Sequence, residues 1–438
     1  MRLGRTIRFF ILLLLLVNAF SAALGQRYDF VLHQQESGLA GNQVNDIAQD
    51  ESGIIWVATN NGVSAFDGIA FQNFNSNTGL AEELCTSVYV AKDGSIWIGH
   101  QTGGVSVIND QGVIVYSEEN GLVNNEVHDI IQTKDGKTWI ATFGGISVFD
   151  GSEWKSYTTE NGLSFNNTQV LAESEDGQVW AGSYGAGINI IESDNVSQLH
   201  LADGLVNNYV TSLLESNGKL FVGTLGGIST WNGSSFDNGY AQRSLFSNQI
   251  NGLALDANNK LWLATFNGVV RMNESSELIL SEQNGLLENE VLDVFIDSQN
   301  SVWLGTKVGL IRVRNLAFSH YESTEELDLY PSSLFLDSKN NLWAGNEAGG
   351  VLKYDGELFV QAFDDPDIND HNISAIAEDA GGSLWFGTAD FGGLFQFDGE
   401  RFYIYSDEFG LADNNINCLT TYDGLLFIGT PNGLSTYD

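Results

Sequence analysis

A tryptophan returns about every 41 residues along this chain, as Trp56, Trp97, Trp139, Trp180, Trp262, Trp303, Trp343 and Trp385. Phe221 and Phe427 fill the same slot in the two remaining copies. Ten copies of one short unit constrain the fold strongly, because no single copy can bury its own apolar face and each must stack on its neighbours. Around each marker runs Asn-x-Val-x-x-Ile, a turn, Trp-Ile-Gly-Thr and Gly-Gly-Val. The third copy shows this well in Gly121-Leu122, Asn124, Asn125, Val127, Asp135-Gly136, Trp139 to Thr142 and Gly144-Gly145-Ile146.

Each unit reads as four short strands. The first, such as Val44 to Gln49, alternates apolar and polar residues. It closes at Asp93-Gly94, Asp135-Gly136, Asp176-Gly177, Asn217-Gly218 or Asp423-Gly424, dipeptides that favour type I′ hairpin turns. The second strand carries Trp-Ile-Gly-Thr, where a small residue beside the ring lets adjacent sheets approach closely. The third begins at Gly-Gly-Val, and the fourth is an aromatic edge such as Phe71 to Phe74. A four-stranded meander at this period is a β-propeller blade, so the fold class is all-β, with ten four-stranded blades of about 41 residues. The tryptophans read as inter-blade core. The tenth copy ends after its third strand, and Tyr28 to His33 resembles an unpaired fourth strand. Pairing the two closes one ring of ten blades; a seven-bladed ring with three extra blades is the alternative. The junction at Leu316 to Leu327 lacks the Gly-Leu-x-Asn-Asn loop but still reads as a fourth strand.

Residues 1–25 read as a signal peptide, with Arg2, Arg5 and Arg8 before an apolar run from Phe9 to Val17 and small residues up to Gly25. Residues 26–438 form the propeller, expected in the periplasm or secreted, without membrane insertion. The formal net charge of −38 argues against nucleic acid as a partner. Cys85 and Cys418 stand in far-apart copies and are expected as two buried free thiols.

Gly-Leu-x-Asn-Asn-x-Val, Asp-Gly and Trp-Ile-Gly-Thr-x-Gly-Gly-Val together resemble the two-component regulator propeller repeat. The resemblance covers residues 36–438. In that family such propellers form the periplasmic part of hybrid histidine-kinase sensors, chiefly in Bacteroidetes, and respond to oligosaccharides. It therefore implies a ligand-sensing role and a signalling partner such as a membrane sensor kinase. No kinase or receiver segment is read after Asp438, so this chain is not itself expected to phosphorylate anything.

The loop entering strand one and the loop between strands two and three should emerge on one face, near the channel mouth. There the framework is constant and the variable residues carry information: Asn60, Asn61, His100, Gln101, Phe143, Tyr184, Phe266, Lys307, Glu347, Asp390 and Phe391. Aromatic rings beside amides and carboxylates suit a sugar, whose C–H faces stack while its hydroxyls need planar partners. His100 replaces a threonine, and a lone histidine more often satisfies a local hydrogen bond than performs catalysis. The six histidines are scattered, without transition-metal spacing. Asp365, Asp367 and Asn369 begin a calcium-loop pattern, but Asp370 and Ile376 stand where glycine and glutamate are required. Neither a metal nor a cofactor is expected. The leading expectation is a sensor-type binding protein without catalysis. A protein-interaction scaffold and a propeller lyase or hydrolase are the alternatives.

Overall fold

The structure is a computed structural model that describes residues 27–193, 195–239, 247–273, 277–321, 327–356 and 358–438. The expected signal peptide lies outside the described residues. Ten antiparallel sheets follow the ten copies in order, nine of four strands and the last of three. Sheets 1 to 7 have first strands beginning at Val44, Cys85, Val127, Thr168, Val210, Ile250 and Val291. Those of sheets 8 to 10 begin at Pro331, Ile373 and Cys418. The described residues divide into two compact units, residues 29–317 and residues 318–438.

Of the two arrangements the sequence allows, strand pairing selects the one with seven sheets in a unit of their own. The strand Arg27–His33 does not complete sheet 10. It pairs beside Leu310–His320 as the outer strand of sheet 7, taking the place expected of residues after Leu316. The first strand of sheet 1 then packs on that of sheet 7, as it does on that of sheet 2. His33 lies against Phe66, Phe71 and Trp303, with ring centroids 5.1 to 6.3 Å apart. Sheets 1 and 7 are thus joined by the same kind of core that joins every other neighbouring pair in the unit.

That core follows from the repeat. The eight tryptophans that mark the repeat are all buried, between 0 and 8% exposed. The first residue of strand one is fully buried in sheets 1 to 7 and faces the small residue two places after the tryptophan in the sheet before it. A Cβ added to Gly99 would lie 2.6 Å from Val127, one on Gly182 2.5 Å from Val210, and one on Gly305 2.9 Å from Val44. The last pair belongs to sheets 7 and 1. Glycine or alanine here is therefore a packing requirement of the stacked sheets.

Strand one does not simply alternate. A register shift follows its first residue in all nine sheets whose first strand begins at that slot, as between Val44 and Asp46. This β-bulge re-aims two consecutive side chains, here Asn45 and Asp46, toward the channel. The hairpins differ from expectation as well. Both turn residues have positive φ only at Asn217-Gly218 and Asp423-Gly424, the type I′ requirement. At Asp93-Gly94, Asp135-Gly136 and Asp176-Gly177 only the glycine does, because a longer turn leaves just its last residue left-handed. Cys85 is buried as expected, but Cys418 is exposed, since it falls two places beyond the buried slot held by Ile416.

Candidate functional site

The seven first strands of residues 29–317 line a central cavity of about 480 Å³. The bulge fixes who faces it. Its first side chain is polar in most sheets and reaches the next sheet's backbone. Asn45 donates to the Cys85 carbonyl at 2.7 Å, Thr86 to Val127 at 2.7 Å, and Asn251 to Val291 at 2.7 Å. His128 Nδ1 lies 2.7 Å from the Thr168 carbonyl and 2.9 Å from Gln169 Nε2. A belt of side chain to backbone bonds thus ties sheet to sheet around the channel.

The second bulge side chain is aspartate in three sheets. Asp46 Oδ2 accepts the Val88 amide at 2.7 Å and Asp129 Oδ2 accepts the Leu171 amide at 2.7 Å. Asp46 Oδ1 also accepts the amide of Ile47 at 2.8 Å. Burial pushes the Asp129 carboxyl up to about 6, partly offset by its two amide donors. Burial also raises Asp46 and Asp293, and the charge of Asp293 raises Asp46 further.

At one end of the channel the two loop sets meet, as expected. The backbone amides of Asn60, Gln101, Phe143 and Tyr184 bond the carbonyls of Gln43, Leu84, Glu126 and Asn167 at 3.0 to 3.2 Å. Phe143, Tyr184 and Phe266 present exposed rings, 51, 41 and 48% accessible. Tyr209 stands edge-on to Tyr184 with centroids 5.0 Å apart. Gln101 donates to Glu126 Oε1 at 3.1 Å, and that oxygen lies 3.4 Å from His128 Nε2 inside the channel. Lys307 pairs with Glu290 at 2.7 Å. Asn60 and Asn61 are exposed on the same rim, and Asn61 donates to the Ala40 carbonyl at 2.8 Å.

His100 does not face the mouth. It is fully buried, with Nε2 2.8 Å from Ser106 Oγ and Nδ1 3.8 Å from Cys85 Sγ. Burial lowers it to about 4. It occupies the slot where Thr59 and Thr142 bond the Gly62 and Gly145 carbonyls at 2.7 and 2.8 Å, so its role is internal. Glu347, Asp390 and Phe391 belong to the second unit. There the Glu347 amide bonds the Tyr330 carbonyl at 2.9 Å, Asp390 lies 3.0 Å from His371 Nδ1, and the Phe391 ring is 72% exposed. The acidic stretch near them is one helical turn, Pro366–Asn369, capped by Asp365, with Ile368 buried. Asn369 is occupied by Gln361 and the Phe363 carbonyl at 2.6 and 2.9 Å.

Sequence reasoning passed over Glu126, Asn167, Tyr209 and Glu290. Each immediately precedes the buried first residue of a first strand, so it stands at the mouth by register, and this variable position was the available signal. The constant loop asparagines are scaffold: Asn125, Asn208 and Asn289 each accept the amide that opens a 3₁₀ turn, at 2.7 to 2.9 Å.

Fold and site together define a β-propeller with a ligand-sized channel and an aromatic, polar mouth. The two-component regulator propeller family model matches residues 38–61, 121–144, 244–267 and 367–390, within four of the ten copies. No curated protein matches the chain by sequence. Among solved structures, it resembles the extracellular domain of the hybrid two component system BT3049 from B. thetaiotaomicron, with 22% identity and a TM-score of 0.61. That likeness covers 94% of this chain and 65% of the other, so the chain spans a little less than two thirds of that domain. A second B. thetaiotaomicron domain, from the hybrid two component system BT4673, gives 19% identity, a TM-score of 0.56 and coverages of 94 and 66%. The virginiamycin B lyase of Staphylococcus aureus gives 13% identity, a TM-score of 0.53 and coverages of 66 and 98%. At these identities the likenesses establish the propeller fold. Among the described residues no helix is long and apolar enough to cross a membrane.

Proposed function

We propose that this chain is an exported sensor-type propeller that binds an oligosaccharide or similar small ligand at the mouth of the seven-sheet channel. It would pass its occupancy to a signalling partner, such as a membrane sensor kinase, by binding alone. The observation that carries the reading is the mouth itself. Three exposed rings from different sheets, Phe143, Tyr184 and Phe266, stand around an opening furnished with Gln101, Glu126 and Glu290. Rings that stack on C–H faces, beside planar acceptors and donors, match the two-sided chemistry of a sugar. The cavity beneath has the size of a small-ligand site. The regulator-propeller repeats and the likeness to extracellular domains of two component systems favour sensing over catalysis.

A thermal-shift screen of the purified protein against an oligosaccharide panel tests this. Ligand at about a hundred times its dissociation constant should add about 2.7 kcal/mol of stability. Tyr184→Ala and Phe266→Ala should abolish the shift while leaving the unliganded melt within about 0.5 kcal/mol, as for exposed positions. A cooperative melt unmoved by every saccharide would sink the proposal.

A further inference from the structure

The indole N–H of the repeated tryptophan has a regular acceptor, the residue six places earlier. It is aspartate in sheets 1, 6, 7, 8 and 9, where Asp50, Asp256, Asp297, Asp337 and Asp379 each accept that N–H at 2.9 to 3.3 Å. Sheet 4 has Ser174 there, and its hydroxyl is spent on Asp176 Oδ1 at 2.5 Å and the Gln178 carbonyl at 3.1 Å. The Trp180 indole N–H is left without a hydrogen-bond partner, on a side chain only 5% exposed. A buried donor left unmet is unfavourable, and a bound acceptor relieves it. Ser174 and Trp180 both line a cavity of about 350 Å³ at the hairpin end of the strands, the end opposite the mouth. Sheet 5 supplies the facing wall through Glu215, Lys219 and Trp231, whose ring centroid lies 6.2 Å from that of Trp180. Trp139 of sheet 3 also has an unmet indole N–H but does not line this cavity.

We infer that the cleft between sheets 4 and 5 is a second ligand site of the seven-sheet unit. It takes a short neutral saccharide, with a hydroxyl oxygen on the Trp180 indole N–H and a ring face toward Trp231. The site is carried by its own observation and goes beyond the mouth. Its chemistry selects the class. The indole and Lys219 can only donate, whereas the ionised carboxylates of Glu175, Asp176 and Glu215 on its rim can only accept. A cation would leave the indole unmet, and an anion would face three carboxylates. A hydroxyl donates and accepts at once, and aromatic walls suit the C–H faces of a sugar. The volume lies at the lower end of the range for small-ligand sites, about 300–1,000 Å³.

An exchange of two residues tests this without changing the net charge. Ser174→Asp with Asp176→Ser turns Ser-Glu-Asp-Gly into Asp-Glu-Ser-Gly, the hairpin that sheet 1 carries from Asp50 to Gly53. In sheet 1 Asp50 accepts the Trp56 indole N–H at 3.0 Å. The exchanged protein should therefore give Trp180 an internal acceptor and melt no lower than the parent. Cellobiose and maltose are titrated against protein with isotope-labelled indoles and read by NMR. The Trp180 signal, assigned by its loss in Trp180→Phe, should move downfield with sugar while that of Trp139 stays. In the exchanged protein it should lie downfield from the start. Affinity there should fall by about tenfold, equivalent to about 1.4 kcal/mol and within the worth of one hydrogen bond. A Trp180 signal unmoved by both sugars, or an exchanged protein that binds as tightly as the parent, overturns the inference. So does a stronger response to glucuronate or glucosamine, which would mark a charged ligand. The thermal shift of the exchanged protein reports the mouth alone, so the two readings can fail separately.

Discussion

Replacing Asp297 by alanine should be among the most damaging single changes to the seven-sheet unit. Asp297 sits six residues before Trp303 at the end of its first strand and is 8% exposed. Its Oδ1 accepts the Gln299 and Ser301 amides at 3.0 and 2.7 Å, and its Oδ2 accepts the Trp303 indole N–H at 2.9 Å. One carboxylate thereby pins the hairpin and satisfies a ring only 2% exposed. Asp297→Ala leaves that indole N–H buried without an acceptor, which costs about 1–3 kcal/mol. Loss of the two hairpin bonds adds about 1 kcal/mol, because those amides can turn to water. A total near 3 kcal/mol should lower the melting temperature of the unit by about 6 °C. Asp297→Asn keeps an oxygen for the hairpin but sets an amide beside the indole donor, so its loss should be intermediate. Thermal and urea unfolding followed by tryptophan fluorescence measure both. A loss under about 0.5 kcal/mol for the alanine variant, the scale of a surface change, would refute the reasoning. The chain carries its own comparison: Trp139 and Trp180 have Thr133 and Ser174 at that position, and both indole nitrogens are buried without a hydrogen-bond partner.

Asp129→Asn should flatten the pH dependence of stability. Burial raises this carboxyl from 3.8 to about 6, so the folded state holds its proton more tightly than the unfolded state. The resulting stabilisation is complete below about 4 and is lost as pH rises through about 6, on the order of 3 kcal/mol in all. Stability curves at pH 4.5 and 7 that fall in parallel for the two proteins would count against it. A thiol reagent should label the native protein at one cysteine only. Cys418 is exposed, whereas Cys85 is buried and its thiol is pushed up to about 12; rapid double labelling by mass spectrometry would contradict this.

Much of the fold was legible because the repeat writes the same pattern ten times. The tryptophan slot, the small residue two places on and the buried first residue of strand one form a single packing motif, and its period exposes it. Much less of the site was legible. Phe143, Tyr184 and Phe266 stood out as exceptions to a constant frame, and the structure leaves all three rings exposed, with the amides of Phe143 and Tyr184 bonded to the loops that enter strand one. His100 stood out in the same way yet is internal, because a histidine can also span the buried gap to Ser106 that threonine fills differently. Asp46, Asp129 and Asp293 carried no signal among 56 acidic residues. Only the bulge, invisible in an apolar–polar pattern, turns them toward the channel.

The sequence by itself determined the class of the fold, the number of sheets, their internal strand order and the residues between them, all of which are local or nearest-neighbour properties of one repeated unit. Tertiary structure decided where the stacking ends. Whether Arg27–His33 pairs with sheet 7 or sheet 10 is a choice between equivalent strand edges, and every copy offers the same apolar faces. It is settled by a contact between residues far apart in sequence, where Val44 of the first sheet packs against Gly305 of the seventh.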